Sequence, residues 1–340
     1  MNGGVSEAFV SAVVAFVTRR TLILPDSRVL IALSGGPDSS ALTLALYLAA
    51  QQGLLPNPVA TAHFHHGLRG SDADQDAAFA SALSVRLGLP CVVGIGTVHK
   101  ASQSPNAAAR ESRYAFLREA ALEWGANRIA TAHTANDQAE TVLGRVLRGT
   151  SIEGLAGIPA SRTLTPGLQV IRPLLTRRRA EVDDFCREQG ITPRTDPSNF
   201  SERYTRTRLR RTIPILAQDF NPRLVETLNR LAETASLESD FLEEQTDRLW
   251  QDCVREVRDF GICLDLRHLV PAHSALRKRV LRMALERLAG ELPESAEIIT
   301  ADWIQQIEQT ATGERSALPD DLPGGIRVRR EDGLLWILRF

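Results

Sequence analysis

The stretch that decides the fold runs V-L-I-A-L at 29–33, S-G-G-P-D-S-S at 34–40 and A-L-T-L-A-L-Y-L-A-A at 41–50. The first run is short and continuously apolar, as expected of a strand covered on both faces. The third is apolar almost all round, which predicts a crossover helix buried within a parallel α/β layer, not a surface helix. Between them, Gly35 and Gly36 let the chain turn tightly and bring successive N–H groups toward a ligand without Cβ interference. The helix expected to begin near Ser39 adds unpaired N–H groups and a positive dipole end, and the hydroxyls of Ser34, Ser39 and Ser40 add donors. A bare Gly-Gly-Pro-Asp string would also suit a turn with a capping residue. With a strand before it and a helix after it, the segment reads as a phosphate cradle.

This loop has no lysine after its glycines, so it is not a G-x-x-x-x-G-K-S/T loop, and it lacks the G-x-G-x-x-G spacing of dinucleotide sites. Asp38 would repel a bound phosphate unless a cation lay between them, which makes it the candidate Mg²⁺ ligand.

Outward from the loop, strand-like runs recur at 59–64, 91–96, 129–133 and 168–174, each followed by a helical pattern or a long loop. This alternation predicts a parallel sheet with helices on both faces. Near Asn221-Pro222 the pattern becomes helix after helix, and Asp332-Gly333 between two apolar runs predicts a closing β-hairpin. The expected division is a catalytic domain over 1–217 and a smaller, mainly α-helical domain over 218–340. The length of 340 residues with 43% hydrophobic and 24% charged content fits two folded domains and excludes disorder. Net charge is −1, so a polyanion would have to be met by a local patch. Of 40 basic residues only Lys100 and Lys278 are lysines, so phosphate contacts fall to guanidinium forks and backbone amides. Cys91, Cys186, Cys253 and Cys263 stand far apart, which encodes neither a disulfide framework nor a zinc ribbon. No apolar run is long enough to cross a bilayer, and Arg19 and Arg20 follow the N-terminal apolar stretch, the reverse of a secretory signal. A cytoplasmic protein with no membrane partner is expected; its oligomeric state is not legible, and a homodimer is compatible with the pattern.

Three further strings fall where strands end, the edge at which open α/β folds bind ligands. They are H-F-H-H-G-L-R at 63–69, N-A-A-A-R-E-S-R at 106–113 and T-A-H-T-A-N-D-Q-A-E-T at 131–141. In the last, His133 closes a strand, and Asp137 and Glu140 lie three apart on one helix face. Such a pair suits an ammonium group, although acidic residues also favour helix N-termini for dipole reasons. His65 and His66 suit a catalytic or a purely structural strand end equally. D-P-S-N at 196–199 precedes R-Y-T-R-T-R-L-R-R at 203–211, where Arg206, Arg208, Arg210 and Arg211 could neutralise RNA phosphates or pyrophosphate, or form a solvated basic loop. Arg277, Lys278 and Arg279, with Arg282 and Arg287, make a second basic stretch suited to an RNA backbone or to ordinary helix-surface charge.

The S-G-G-P-D-S loop resembles that of the PP-loop ATP pyrophosphatases, which cleave ATP between its α- and β-phosphates. The other strings, in this order, resemble the tRNA(Ile)-lysidine synthetases within that superfamily, over residues 31–216 at least. The resemblance implies ATP as substrate with Mg²⁺, and lysine joined to C2 of the wobble cytidine in an isoleucine tRNA with a CAU anticodon. It implies an adenylated tRNA intermediate, with release of pyrophosphate and AMP. It implies that Asp137 and Glu140 hold free L-lysine, that His133 acts near the phosphates, and that Arg110 and Arg113 clamp ATP or the adenylate. The chain departs from the family pattern at Thr207, where an asparagine is usual; a hydroxyl is kept but the amide is lost. The alternatives are a PP-loop sulfur transferase making 2-thiocytidine, which would need clustered cysteines, and a non-catalytic nucleotide- or RNA-binding protein on the same scaffold.

Overall fold

The computed structural model describes residues 4–65, 71–96, 105–192, 205–290, 299–315 and 325–339. They fall into two compact units, residues 1–236 and 237–340. In chain order the first unit holds α1 (Gly4–Arg19), β1 (Val29–Ala32), α2 (Pro37–Gln51), β2 (Ala60–His65), α3 (Ser71–Arg86), β3 (Cys91–Ile95), α4 (Pro105–Glu123) and β4 (Arg128–Ala130). It continues through α5 (Ala135–Val146), α6 (Ile152–Leu155), β5 (Ser161–Thr165), β6 (Leu168–Ile171), α7 (Arg179–Glu188), α8 (Thr205–Asp219) and the start of α9 (Leu224–Cys253).

The sheet order is β3-β2-β1-β4-β6-β5, parallel except for β5, so the phosphate loop leaves the central strand β1. Successive residues of a strand face opposite sides. Ile31 and Leu33 accordingly pack with α1, α2 and α7, whereas Leu30 packs with Leu117, Ala120 and Ala121 of α4. Helix α2 is buried on nearly every side, as its all-round apolar pattern predicts. Strand β5 is an addition to the sequence expectation. Its text, S-R-T-L-T, is polar and mostly exposed, as edge strands often are, and it turns into β6 through Gly167 at φ +80°.

The second unit contains the rest of α9, then β7 (Val254–Arg258), β8 (Gly261–Asp265), α10 (Leu266–Leu269), α11 (Ser274–Ala289), α12 (Ala301–Thr312), β9 (Ile326–Glu331) and β10 (Leu334–Arg339). The expected hairpin is present: Asp332 and Gly333 lie at φ 49° and 77°, the paired positive values of a type I′ turn. It belongs to a larger sheet, β7-β8-β10-β9, which the expectation of a mainly helical region did not include. The charged V-R-E-V-R text of β7 hid that edge strand. The division between units also differs from the expected 217/218. It falls inside α9, because Leu228 and Ala232 at the start of that helix pack on Ala139, Val142 and Ile213 of the first unit.

Candidate active site

The phosphate loop is shaped by its glycines. Gly35 lies at φ +91°, a backbone conformation in which a side chain would be strained, so the position favours glycine. Gly36 caps α2, and Pro37 occupies its first turn, where a missing N–H has no cost. The Ser34 N–H donates to Ser39 Oγ at 3.1 Å, and the two hydroxyls lie 3.0 Å apart. Ser40 is fully buried and donates to the Gly36 carbonyl at 2.9 Å, so its hydroxyl is turned into the helix.

Asp38 emerges at the start of α2, where its Oδ2 accepts from Arg179 at 2.6 Å. Burial, with Asp137 and Asp183 nearby, raises its pKa to about 6 despite that arginine. Its Oδ1 is buried without a hydrogen-bond partner. An orphaned carboxylate oxygen beside a phosphate cradle fits a hard divalent cation, so Mg²⁺ is compatible with the residues present. Arg179 was not foreseen. The available signal was the run Arg177-Arg178-Arg179 at the start of α7, the helix that follows β6.

One strand over, His133 follows β4, with Nδ1 3.2 Å from the Thr131 hydroxyl. Burial lowers its pKa to about 4, against Asp137 and with Arg172, Arg206 and Arg113, so the imidazole is neutral at physiological pH. Thr134 and Asp137 form a capping box that opens α5: Asp137 Oδ2 accepts from the Thr134 N–H at 2.8 Å. Both acids are buried, at 6% exposure for Asp137 and 4% for Glu140. They share two guanidiniums. Arg206 donates to Asp137 Oδ1 at 2.7 Å and to Glu140 Oε2 at 2.9 Å, while Arg210 donates to Glu140 Oε1 at 2.9 Å. Burial pushes Asp137 upward, but Arg206, the Thr134 N–H and His133 outweigh it and hold the carboxyl below its ordinary range.

The arginine run of α8 is therefore not one basic surface. Arg206 and Arg210 are spaced i, i+4 and face the acidic pair, whereas Arg208 and Arg211 occupy the other side of the helix and are exposed. Arg110 and Arg113, the candidate clamps for ATP or the adenylate, lie around Tyr114, with their guanidinium carbons 5.0 and 5.5 Å from its ring centroid. Arg162 of β5 joins them at 4.9 Å.

In the second unit, Arg277 and Lys278, expected on an RNA-facing stretch, share one acidic partner. Both pair with the buried Glu308, at 2.8 and 3.4 Å, and Arg277 also donates to the Val270 and Ala272 carbonyls. Glu308 lies 31 residues from Arg277 in the chain, so the local sequence around these cations does not reveal the pairing. Arg279 is half-buried on the same helix, and Arg287 covers the Trp250 ring at 4.3 Å.

His63 is buried, with Nδ1 2.9 Å from the Leu33 carbonyl, which ties β2 to the end of β1; His65 lies 3.3 Å from Asp74. Residues 66–69, 196–199 and 203–204 of the sequence motifs lie outside the described residues. Cys186, Cys253 and Cys263 are buried, and burial pushes the thiols of Cys186 and Cys253 up to about 12. Among the described residues, no helix is long and apolar enough to cross a membrane.

Comparison with known proteins finds a PP-loop domain over residues 7–216 and a TilS substrate binding domain over residues 264–336. The tRNA(Ile)-lysidine synthase of Clostridium perfringens is 40% identical over 250 residues, covering 72% of this chain and 52% of that protein. Those of Dehalococcoides mccartyi and Geobacillus kaustophilus are 35% and 33% identical, covering 92% and 93% of this chain and 65% and 68% of theirs. The chain thus spans about half the length of the first of these relatives. Among solved structures, a U34-tRNA thiolase from Methanococcus maripaludis with its 4Fe–4S cluster superposes with a TM-score of 0.55 at 20% identity, over 67% of this chain and 80% of the other, a likeness of fold.

Proposed function

The chain belongs to the tRNA(Ile)-lysidine synthase family of PP-loop proteins, and we propose that it ligates L-lysine to the wobble cytidine of an isoleucine tRNA with a CAU anticodon. The observation that carries this reading is a buried acidic pair, Asp137 and Glu140, already bound to cationic side chains and one strand from a phosphate loop. A pair that holds guanidiniums is a cation site by construction, and lysine's ε-ammonium enters by taking over part of that donor set.

In the first step the cytidine C2 oxygen attacks the α-phosphorus of ATP, and pyrophosphate leaves along the N–H groups of the Gly35–Gly36 turn and the start of α2. In the second, lysine's ε-ammonium gives a proton to solvent, the free amine forms the new bond to C2, and the C2–O bond breaks so that AMP departs with the former C2 oxygen. Asp38 would hold Mg²⁺, which supplies charge neutralisation at the phosphates when bound. Neutral His133 donates an N–H to a phosphate oxygen. Arg113, which shares the surroundings of His133, clamps the adenylate. Asp137 and Glu140 orient the amine, and holding both reactants in line supplies much of the rate. An anticodon loop offers an unpaired cytidine, and the reaction is placed in the cytoplasm with its tRNA.

The wide spacing of the four cysteines weighs against sulfur transfer, and burial pushes the thiols of Cys186 and Cys253 up to about 12, which makes these two poor nucleophiles. Nucleoside mass analysis of the tRNA transcript, incubated with the protein, ATP and either lysine or a sulfur donor, tests the reading. A lysine-sized gain supports it; a sulfur-for-oxygen exchange, or no change, overturns it.

A further inference from the structure

At the carboxyl edge of the sheet, hydrogen-bond donors outnumber acceptors. Arg110 and Arg113 of α4, Arg162 of β5 and Arg172 just after β6 converge on Tyr114. Arg172 is 2% exposed and donates to the Pro159 carbonyl at 2.6 Å, its Nε has no partner, and Arg113 and Arg172 both lie within reach of the buried Tyr114 hydroxyl. The charged neighbours of Arg113 and Arg172 include Tyr114 and further arginines. Among the described residues, no carboxylate pairs with any of the four. Like charges gathered on a buried ring destabilise one another until an acceptor-only group joins them. Phosphate is such a group, and guanidiniums bind it bidentately.

The strand order sets Arg162 apart from the phosphate loop, while Tyr114, Arg110 and Arg113 lie on α4, which packs on β2 and β4. The phosphate loop follows β1; His133 follows β4, the next strand; Arg172 follows β6; and Arg162 lies on β5. At about 4.8 Å per strand, β5 stands roughly 14 Å from β1, on the far side of His133 from the loop. Pyrophosphate is already served by that loop. The two outer guanidiniums, Arg110 and Arg162, are the exposed members of the cluster, open to a macromolecular ligand.

Resting on the function proposed above, we propose that Arg110 and Arg162, stacked on Tyr114 and backed by the buried Arg172, form a second phosphate site that seats a backbone phosphodiester of the RNA next to the reacting cytidine. Arg110 thus serves the RNA, and Arg113 alone faces the adenylate. Phosphate contacts of this kind fix the register of the RNA and carry no base identity, so the site positions the cytidine without choosing it.

The test uses the full chain and its Arg162→Gln variant, with a tRNA transcript, its anticodon stem-loop, ATP and inorganic pyrophosphate as separate ligands. R162Q weakens stem-loop binding by about 5- to 10-fold, and the slope of log affinity against log salt shrinks by roughly 0.7 to 0.9, the signature of one lost phosphate contact. ATP and pyrophosphate affinities stay unchanged. Arg110→Gln gives the same pattern. The site is overturned if R162Q leaves the salt slope untouched, if it weakens ATP or pyrophosphate in place of RNA, or if the parent chain does not bind the stem-loop. A parent chain that binds RNA but transfers no lysine defeats the proposed function while leaving the R162Q comparison readable. Lysine transfer with an unaltered slope defeats only the phosphate site.

Discussion

Two buried acidic centres, Asp137–Glu140 in the first unit and Glu308 in the second, are each gripped by two basic side chains, and they do different work. Glu308 is a single carboxylate whose donors are the Ser274 hydroxyl, Arg277 and Lys278; Arg277 directs its remaining N–H groups to two backbone carbonyls. Burial raises the Glu308 pKa, but those donors outweigh it and hold the carboxyl below its ordinary range. Arg277, 18% exposed, is fully engaged there, and the arrangement pins α11 to α12. At Asp137–Glu140 two carboxylates share guanidiniums that remain accessible, with Arg206 51% and Arg210 32% exposed. Those donors can be resolvated, so they can be exchanged for a substrate cation. The lesson is that a buried acid–arginine contact becomes a functional site through the exchangeability of its donors and through its neighbours, here a phosphate loop.

The contrast breaks most decisively at that neighbour. Asp38→Ala should lower AMP formation by roughly 10³-fold or more while tRNA retention persists; retention lost with AMP formation intact would remove Asp38 from the chemistry. Glu140→Gln should lower kcat/KM for lysine by about 10²-fold, with adenylation in the absence of lysine preserved. Partitioning of labelled ATP with and without lysine reads both steps. Glu308→Gln should do the opposite, reducing unfolding stability by about 3 kcal/mol in urea while leaving the lysine KM unchanged. A shifted lysine KM in E308Q would erase the distinction between the two centres.

The smallest effect is a pH dependence. His133 has a folded pKa of about 4, below its ordinary 6.5, so between those values the unfolded chain takes up a proton that the native state refuses. Stability therefore falls as the pH drops from about 7.5 toward 4, by at most ~1.4 kcal/mol per pH unit, and levels off below the folded value. His63, lowered chiefly by burial, adds to the same slope. Urea titrations at several pH values should show a shallower slope in His133→Gln; an unchanged slope would mean that the imidazole is not held neutral.

Legibility in the sequence followed the range of the interactions. The phosphate loop, the buried α2 and the Asp332-Gly333 hairpin depend on residues within a turn or two of one another, and their patterns were readable. Strands β5 and β7 were not, because exposed edges need little apolar text. Arg179 at Asp38, Glu308 at Arg277 and the gathering of Arg162 and Arg172 on Tyr114 join residues far apart in the chain. The run at 203–211 shows the limit best. Its composition announced positive charge, while only the helical period, once α8 was packed beside α5, sorted Arg206 and Arg210 from Arg208 and Arg211.

By itself the order of amino acids determined the α/β alternation, the glycine-bent anion cradle and the spacing that sets Asp137 and Glu140 on one helical face, since backbone sterics and local periodicity act over a few residues. The three-dimensional packing alone decided which guanidinium meets which carboxylate and which are left without one. Pairing at a distance depends on strand order and helix docking, and those arise only when apolar surfaces are buried together.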